Sequence, residues 1–165
     1  MSFVLKNIHI TLEPESISNA IEEINNFERR LKPAMTHLID RLCAKGVEIA
    51  KATLIFFEDP AYDTGALSDS VKYEVLEDKG IISAGEGLVD GQGKGSYAIY
   101  VEYGTGIYYE GTKRPNGWVY YNNRIGKFVF TFGMAPRPFM HNTMLSLEDE
   151  AKTAGGRIIA EYLKE

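Results

Sequence analysis

The residues able to do chemistry are few and scattered. His9, His37, His141 and Cys43 are the soft metal ligands of the chain. A structural zinc site draws its donors from short paired motifs such as C-x-x-C or H-x-x-x-H, and no such pair occurs. Cys43 stands beside Leu42 on an apolar helix face and reads as a small core residue. His141 follows Pro138-Phe139-Met140 and reads as a surface or interface histidine. The glycine-rich stretch 85–95 is the other suspect, because backbone N–H groups of such a loop can cradle phosphate. Gly93-Lys94 matches one step of that motif, but Leu88 stands where the first glycine belongs and Gly95 where a hydroxyl should hold magnesium. The dinucleotide fingerprint fails at Asp90. Ser68 and Ser70 lack the G-x-S-x-G elbow that exposes a nucleophile. The carboxylate runs Glu22-Glu23 and Glu148-Asp149-Glu150 fall on polar helix faces, where solvation accounts for them. No catalytic residue, metal ligand or cofactor is assigned, and the chain is expected not to be an enzyme.

The aromatic residues are more informative. Tyr97, Tyr100, Tyr103, Tyr108, Tyr109, Trp118, Tyr120 and Tyr121 are interleaved with Lys113, Arg114 and Arg124. Such a mixture can stack on single-stranded nucleic acid or sugars. It can equally build cross-strand pairs or a protein interface. The net charge of −5 lacks the basic excess that neutralises phosphates, so strands plus an interface are the preferred reading. A small hydrolase or carbohydrate-binding module using region 97–124 is the alternative.

These groups must be positioned by elements legible from periodicity. The 165 residues suit one domain, spanning 1–165, with residues 1–14 as a possible extended arm. The start lacks a basic region followed by an apolar core, so no signal peptide is expected. Ile17, Ile21, Ile24, Phe27 and Leu31 recur at helical spacing from a start near Pro14. The period resumes after Pro33 with Met35, Leu38, Ile39 and Leu42 and runs to Phe57. Pro33 either opens a second helix or kinks one long helix. The spacing of alternating residues predicts strands over Leu67–Val75, Gly80–Ala84, Tyr97–Tyr103, Trp118–Tyr121 and Phe128–Phe132. Residues 85–95 and 104–117 read as mobile glycine-rich loops. Pro136 and Pro138 make a rigid extended connector. Phe139, Thr143, Met144, Leu147, Ala151, Ala154, Ile158 and Tyr162 predict a final helix. Strands that follow one another without intervening helices argue for an α+β fold. The expected architecture is a long N-terminal helical segment and a C-terminal helix packed on one antiparallel sheet of about four to five strands.

Three segments in order carry a family resemblance. Asp63-Thr64-Gly65-Ala66-Leu67-Ser68-Asp69-Ser70-Val71 is similar to a T-G-x-L-x-x-S-[IV] signature. Tyr97-Ala98-Ile99-Tyr100-Val101-Glu102-Tyr103-Gly104-Thr105 is similar to Y-A-x-Y-V-E-[FY]-G-T. Ala135-Pro136-Arg137-Pro138-Phe139-Met140 is similar to P-A-x-P-F-[LM] before a terminal helix, and Trp118-Val119-Tyr120-Tyr121 accompanies it. Together they resemble the head–tail joining, or tail-completion, proteins of long-tailed bacteriophages. Ser68 departs from that pattern, which usually has a basic residue there, and so does His141-Asn142-Thr143-Met144 after the third segment. The resemblance implies a structural virion protein at the neck of a tailed phage or prophage. It implies self-assembly into a ring, with head-connector or head-closure proteins and tail terminator or tail tube proteins as partners. DNA would pass only as cargo, and no membrane would be involved. The implied location is the virion, with the host cytoplasm during assembly. A component of a phage-tail-like bacterial particle is the related alternative. The motif residues expected to matter are Thr64, Gly65, Leu67, Ser70, Val101, Glu102, Tyr103, Gly104, Thr105, Trp118, Pro136, Pro138 and Phe139. On a sheet, Val101 and Tyr103 would share the buried face and Glu102 the other. The loop 104–117 and its aromatic neighbours are expected to form part of an inter-subunit or tail-facing surface.

Overall fold

The computed structural model describes residues 11, 13–56, 65–88, 97–111, 115–122 and 125–164. The apolar stripe that begins at Ile17 becomes one helix, α1 (Pro14–Phe56), which continues through Pro33. A proline inside a helix removes one hydrogen bond and typically costs ~3 kcal/mol. The stripe nevertheless keeps phase across it, from Leu31 to Met35 to Leu38 to Leu42, so both halves present the same face and one helix buries it. The last helix, α4 (Phe139–Lys164), packs along α1 in the opposite direction. Phe139 shares a buried cluster with Ala50 and Leu54, and Met140 packs against that cluster. Further along, Leu38 packs with Ala154 and Ile158, and the Tyr162 ring lies 5.6 Å from His37. Gly46 permits the close approach in the middle, because a Cβ there would lie 2.9 Å from the Leu147 side chain and 2.3 Å from that of Ile82.

Ile82 belongs to the first hairpin, β1 (Lys72–Val75) with β2 (Gly80–Ser83), paired antiparallel with Tyr73 opposite Ile82. This hairpin lies on α1. The Tyr73 hydroxyl donates to Asp40 Oδ1 at 3.1 Å, and Lys32 at 2.7 Å salt-bridges Glu77 in the turn. Both ions of that pair are exposed, so it contributes little to stability. Gly80 presses on Cys43, which is buried; burial pushes the thiol pKa up, with Asp40 adding to the shift. The core-residue reading of Cys43 therefore holds.

Three expectations are corrected. Among the described residues the strands form two separate two-stranded sheets and not one sheet of four to five strands. The second sheet pairs β3 (Trp118–Asn122) with β4 (Lys127–Thr131). The segment Tyr97–Tyr103 is a helix, α3, and not a strand. Over seven residues rich in β-branched and aromatic side chains, alternation and helical spacing are nearly indistinguishable. Burial decides between them: Ala98 and Val101, three apart, face the core, whereas Tyr103 is 62% exposed. Likewise the first part of Leu67–Val75 is a short helix, α2 (Ala66–Ser70), that precedes β1. The fold is thus mixed helix and sheet, with a long N-terminal and a C-terminal helix. No helix among the described residues is long and apolar enough to cross a membrane.

Candidate functional site

The motif residues converge where α2, α3 and the start of α4 meet the end of α1. Leu67 and Val71 from the first segment, Ala98 and Val101 from the second and Phe139 from the third form one buried cluster with Ala50 and Leu54. Val101 and Phe139 are wholly inaccessible. Around this cluster the second and third segments are stitched together through their backbones. Thr105 N–H donates to the Met134 carbonyl at 2.8 Å, Ile107 N–H to Phe132 at 2.9 Å, and Arg137 N–H to Val101 at 2.8 Å. The Thr105 hydroxyl accepts from Met134 N–H at 3.0 Å. Residues 104–109, read from sequence as loop, thus pass through this seam into a short 3-10 turn (Gly106–Tyr108). Gly104 takes a left-handed φ of 75° at the end of α3, and a Cβ there would lie 2.7 Å from the Met134 carbonyl oxygen. Only glycine satisfies both conditions without strain.

Glu102 has a defined role. The N-terminal N–H groups of a helix lack partners within it, and Pro138, just before α4, has no side-chain acceptor to cap them. Glu102 supplies the cap from α3. Its Oε2 accepts from Met140 N–H at 2.9 Å and its Oε1 from His141 N–H at 3.0 Å. A carboxylate is favoured at this positive end of the helix dipole. We expect Glu102→Ala to lower stability by about 1–2 kcal/mol and Glu102→Gln, which keeps one acceptor oxygen, by less. Urea midpoints of the three proteins check this, and an alanine variant as stable as the parent would show that the cap contributes nothing.

The other motif residues divide. Gly65 has a left-handed φ of 78° and starts α2. The Ser70 hydroxyl donates to the Leu67 carbonyl at 2.7 Å and accepts from Gly85 N–H at 2.8 Å. Pro136 is exposed and Pro138 half-buried in the connector. Trp118 begins β3, half-buried and apart from the cluster. Tyr103 points outward, so its expected burial beside Val101 is corrected. Thr64 lies outside the described residues, as do His9 and the lysine and arginines at 94, 113, 114 and 124. Sequence reasoning missed Arg137 and Ser68, both buried. Their burial comes from tertiary packing, which no local sequence signal marks.

The described contacts at this convergence are apolar packing and backbone pairing. The Glu102 carboxylate is occupied as a cap, and no group of three His, Cys, Asp or Glu could hold a metal among the described residues. The unburied material lies elsewhere, on the β3–β4 hairpin. No residue of its strands is buried, and neither strand packs against a helix to any extent. Comparison of the chain with family models, with curated proteins and with solved structures finds no match in any of the three.

Proposed function

We propose that this chain is a non-enzymatic structural protein of a tailed phage or prophage, acting at the neck in head–tail joining as one subunit of a ring. One observation supports this reading most. The three segments that resemble the joining proteins lie far apart in sequence, yet Leu67, Val101 and Phe139 pack in a single core. The partners in this reading are other copies of the chain, a head-connector or head-closure protein on one side and a tail terminator or tail tube protein on the other. DNA passes through as cargo.

Deleting the gene from a producing phage or prophage tests the proposal. The expected result is full heads and complete tails that do not join, seen by electron microscopy, with joining restored when the protein is supplied. Particles that join normally without the chain would overturn it.

A further inference from the structure

We infer that the β1–β2 hairpin is a flap, which lifts from α1 while the rest of the fold stays closed and thereby uncovers Cys43. Burial separates the hairpin from the other elements packed on α1. Of residues 72–83 none is buried and nine are exposed. By contrast, α4 carries Phe139, Thr143, Ala154 and Ile158 into buried positions. Stability is not uniform within a domain. The segments that open first are those with few buried apolar contacts and much exposed backbone, and the hairpin fits that description where α4 does not.

The face of the hairpin that meets α1 is thin. The register places Tyr73 opposite Ile82 and Val75 opposite Gly80, so these four residues share one face. Ile82 is the strand residue that packs against the core cluster, and it reaches α1 at Gly46, which has no side chain to meet it. Gly80 likewise contributes no side chain and lies directly over the Cys43 sulfur and the Ile39 side chain. Two further holds are polar and exposed, the Tyr73 hydroxyl on Asp40 at 3.1 Å and Lys32 on Glu77 at 2.7 Å. Water replaces contacts of that kind at little cost when the hairpin lifts.

The roots of the hairpin are fixed. Val71 is buried in the core cluster, and Ala84 packs against that cluster. The Ser70 hydroxyl accepts from Gly85 N–H and donates to the Leu67 carbonyl, which ties both ends of the hairpin to α2. A hinge needs only a few residues at the ends of elements to absorb the backbone change, here 71–72 and 83–85, so lifting leaves α2 and the core in place. Cys43 is what the flap covers. It is 6% exposed and lies on the hairpin side of α1, whereas Leu38 and Leu42 turn towards α4. The flap goes beyond the phage reading and does not depend on it.

Labelling of the full chain with a chromogenic disulfide reagent, followed as urea is raised, tests this, because Cys43 is the only cysteine. At low urea the labelling rate should sit on a plateau, since lifting the hairpin exposes little new surface and so depends weakly on denaturant. The plateau is expected about 100- to 1,000-fold below the rate in the unfolded chain, whereas global unfolding alone would slow labelling at least about 5,000-fold. Ile82→Ala should raise the plateau about 10-fold. Gly80→Ala, whose added Cβ would stand 2.1 Å from the Cys43 sulfur, should raise it too. Ile158→Ala, which opens a gap between α4 and Leu38, should lower the urea midpoint of unfolding and leave the plateau unchanged. A rate that follows global unfolding from zero urea upward would overturn the flap, and so would labelling at the unfolded rate without urea. A plateau indifferent to both hairpin variants would do the same, as would one raised equally by Ile158→Ala, which would make α4 the cover.

Discussion

Gly106→Ala is expected to destabilise the protein by about 2–4 kcal/mol. The φ at this position is +64°, and a Cβ would stand 1.9 Å from the Phe132 carbonyl oxygen and 2.7 Å from its carbon. A left-handed conformation costs an L-residue roughly 1–2 kcal/mol on its own. The clash adds to this because the obstacle is backbone and cannot rotate aside. Relief requires opening the seam in which Ile107 N–H donates to Phe132 and Thr105 N–H to Met134, each bond contributing about 1 kcal/mol. Gly87→Ala is the internal control. Gly87 has a similar φ of +76° but nothing within 4 Å of its would-be Cβ, so only the conformational cost applies there. Denaturant midpoints at unchanged slope separate the two variants. Equal losses at 87 and 106 would show that the seam is loose and that the conformation alone matters.

What could be read from the sequence follows the length over which each signal repeats. The α1 stripe repeats for about ten turns and continues past Pro33, where the spacing alone allows either two helices or one kinked helix. The structure decides for one helix, and the unbroken phase from Leu31 to Met35 to Leu38 lets both halves bury the same face. Each hairpin was legible as a pair, since a short turn between alternating runs leaves few other partners. That the two hairpins would stay apart was not legible: alternation marks two faces on every strand but does not say what covers each. For β3 and β4 the described residues cover neither face well, which no composition rule could announce. The α3 segment failed because two helical turns of Tyr, Ile and Val satisfy the strand template equally. Glu102 was singled out by its motif, yet its task depends on backbone groups 38 and 39 residues away. The only local hint was that Pro138 cannot cap the helix it precedes.

Phe139→Ala should have the largest effect on stability of any single change at the site, about 3–5 kcal/mol. Phe139 is fully buried in one cluster with Ala50, Leu54, Leu67, Val71 and Val101, so the substitution opens a cavity among residues of α1, α2 and α3. It is also the first residue of α4, and the neighbouring Met140 and His141 N–H groups are those that Glu102 caps. Loosening Phe139 therefore weakens the cap as well as the core. A domain of this kind has only about 5–15 kcal/mol of net stability, so the variant should lose a large part of it, with a thermal midpoint lower by some 2–4 °C per kcal/mol. Phe139→Leu, which conserves more of the volume, should cost far less. Tyr103→Ala is the telling comparison, because Tyr103 shares the same motif but is 62% exposed. It should change stability by no more than about 0.5 kcal/mol. Under the proposed neck role, failure of joining in that variant would place Tyr103 at a surface; if both variants unfold alike, the division of the motif into scaffold and surface is wrong.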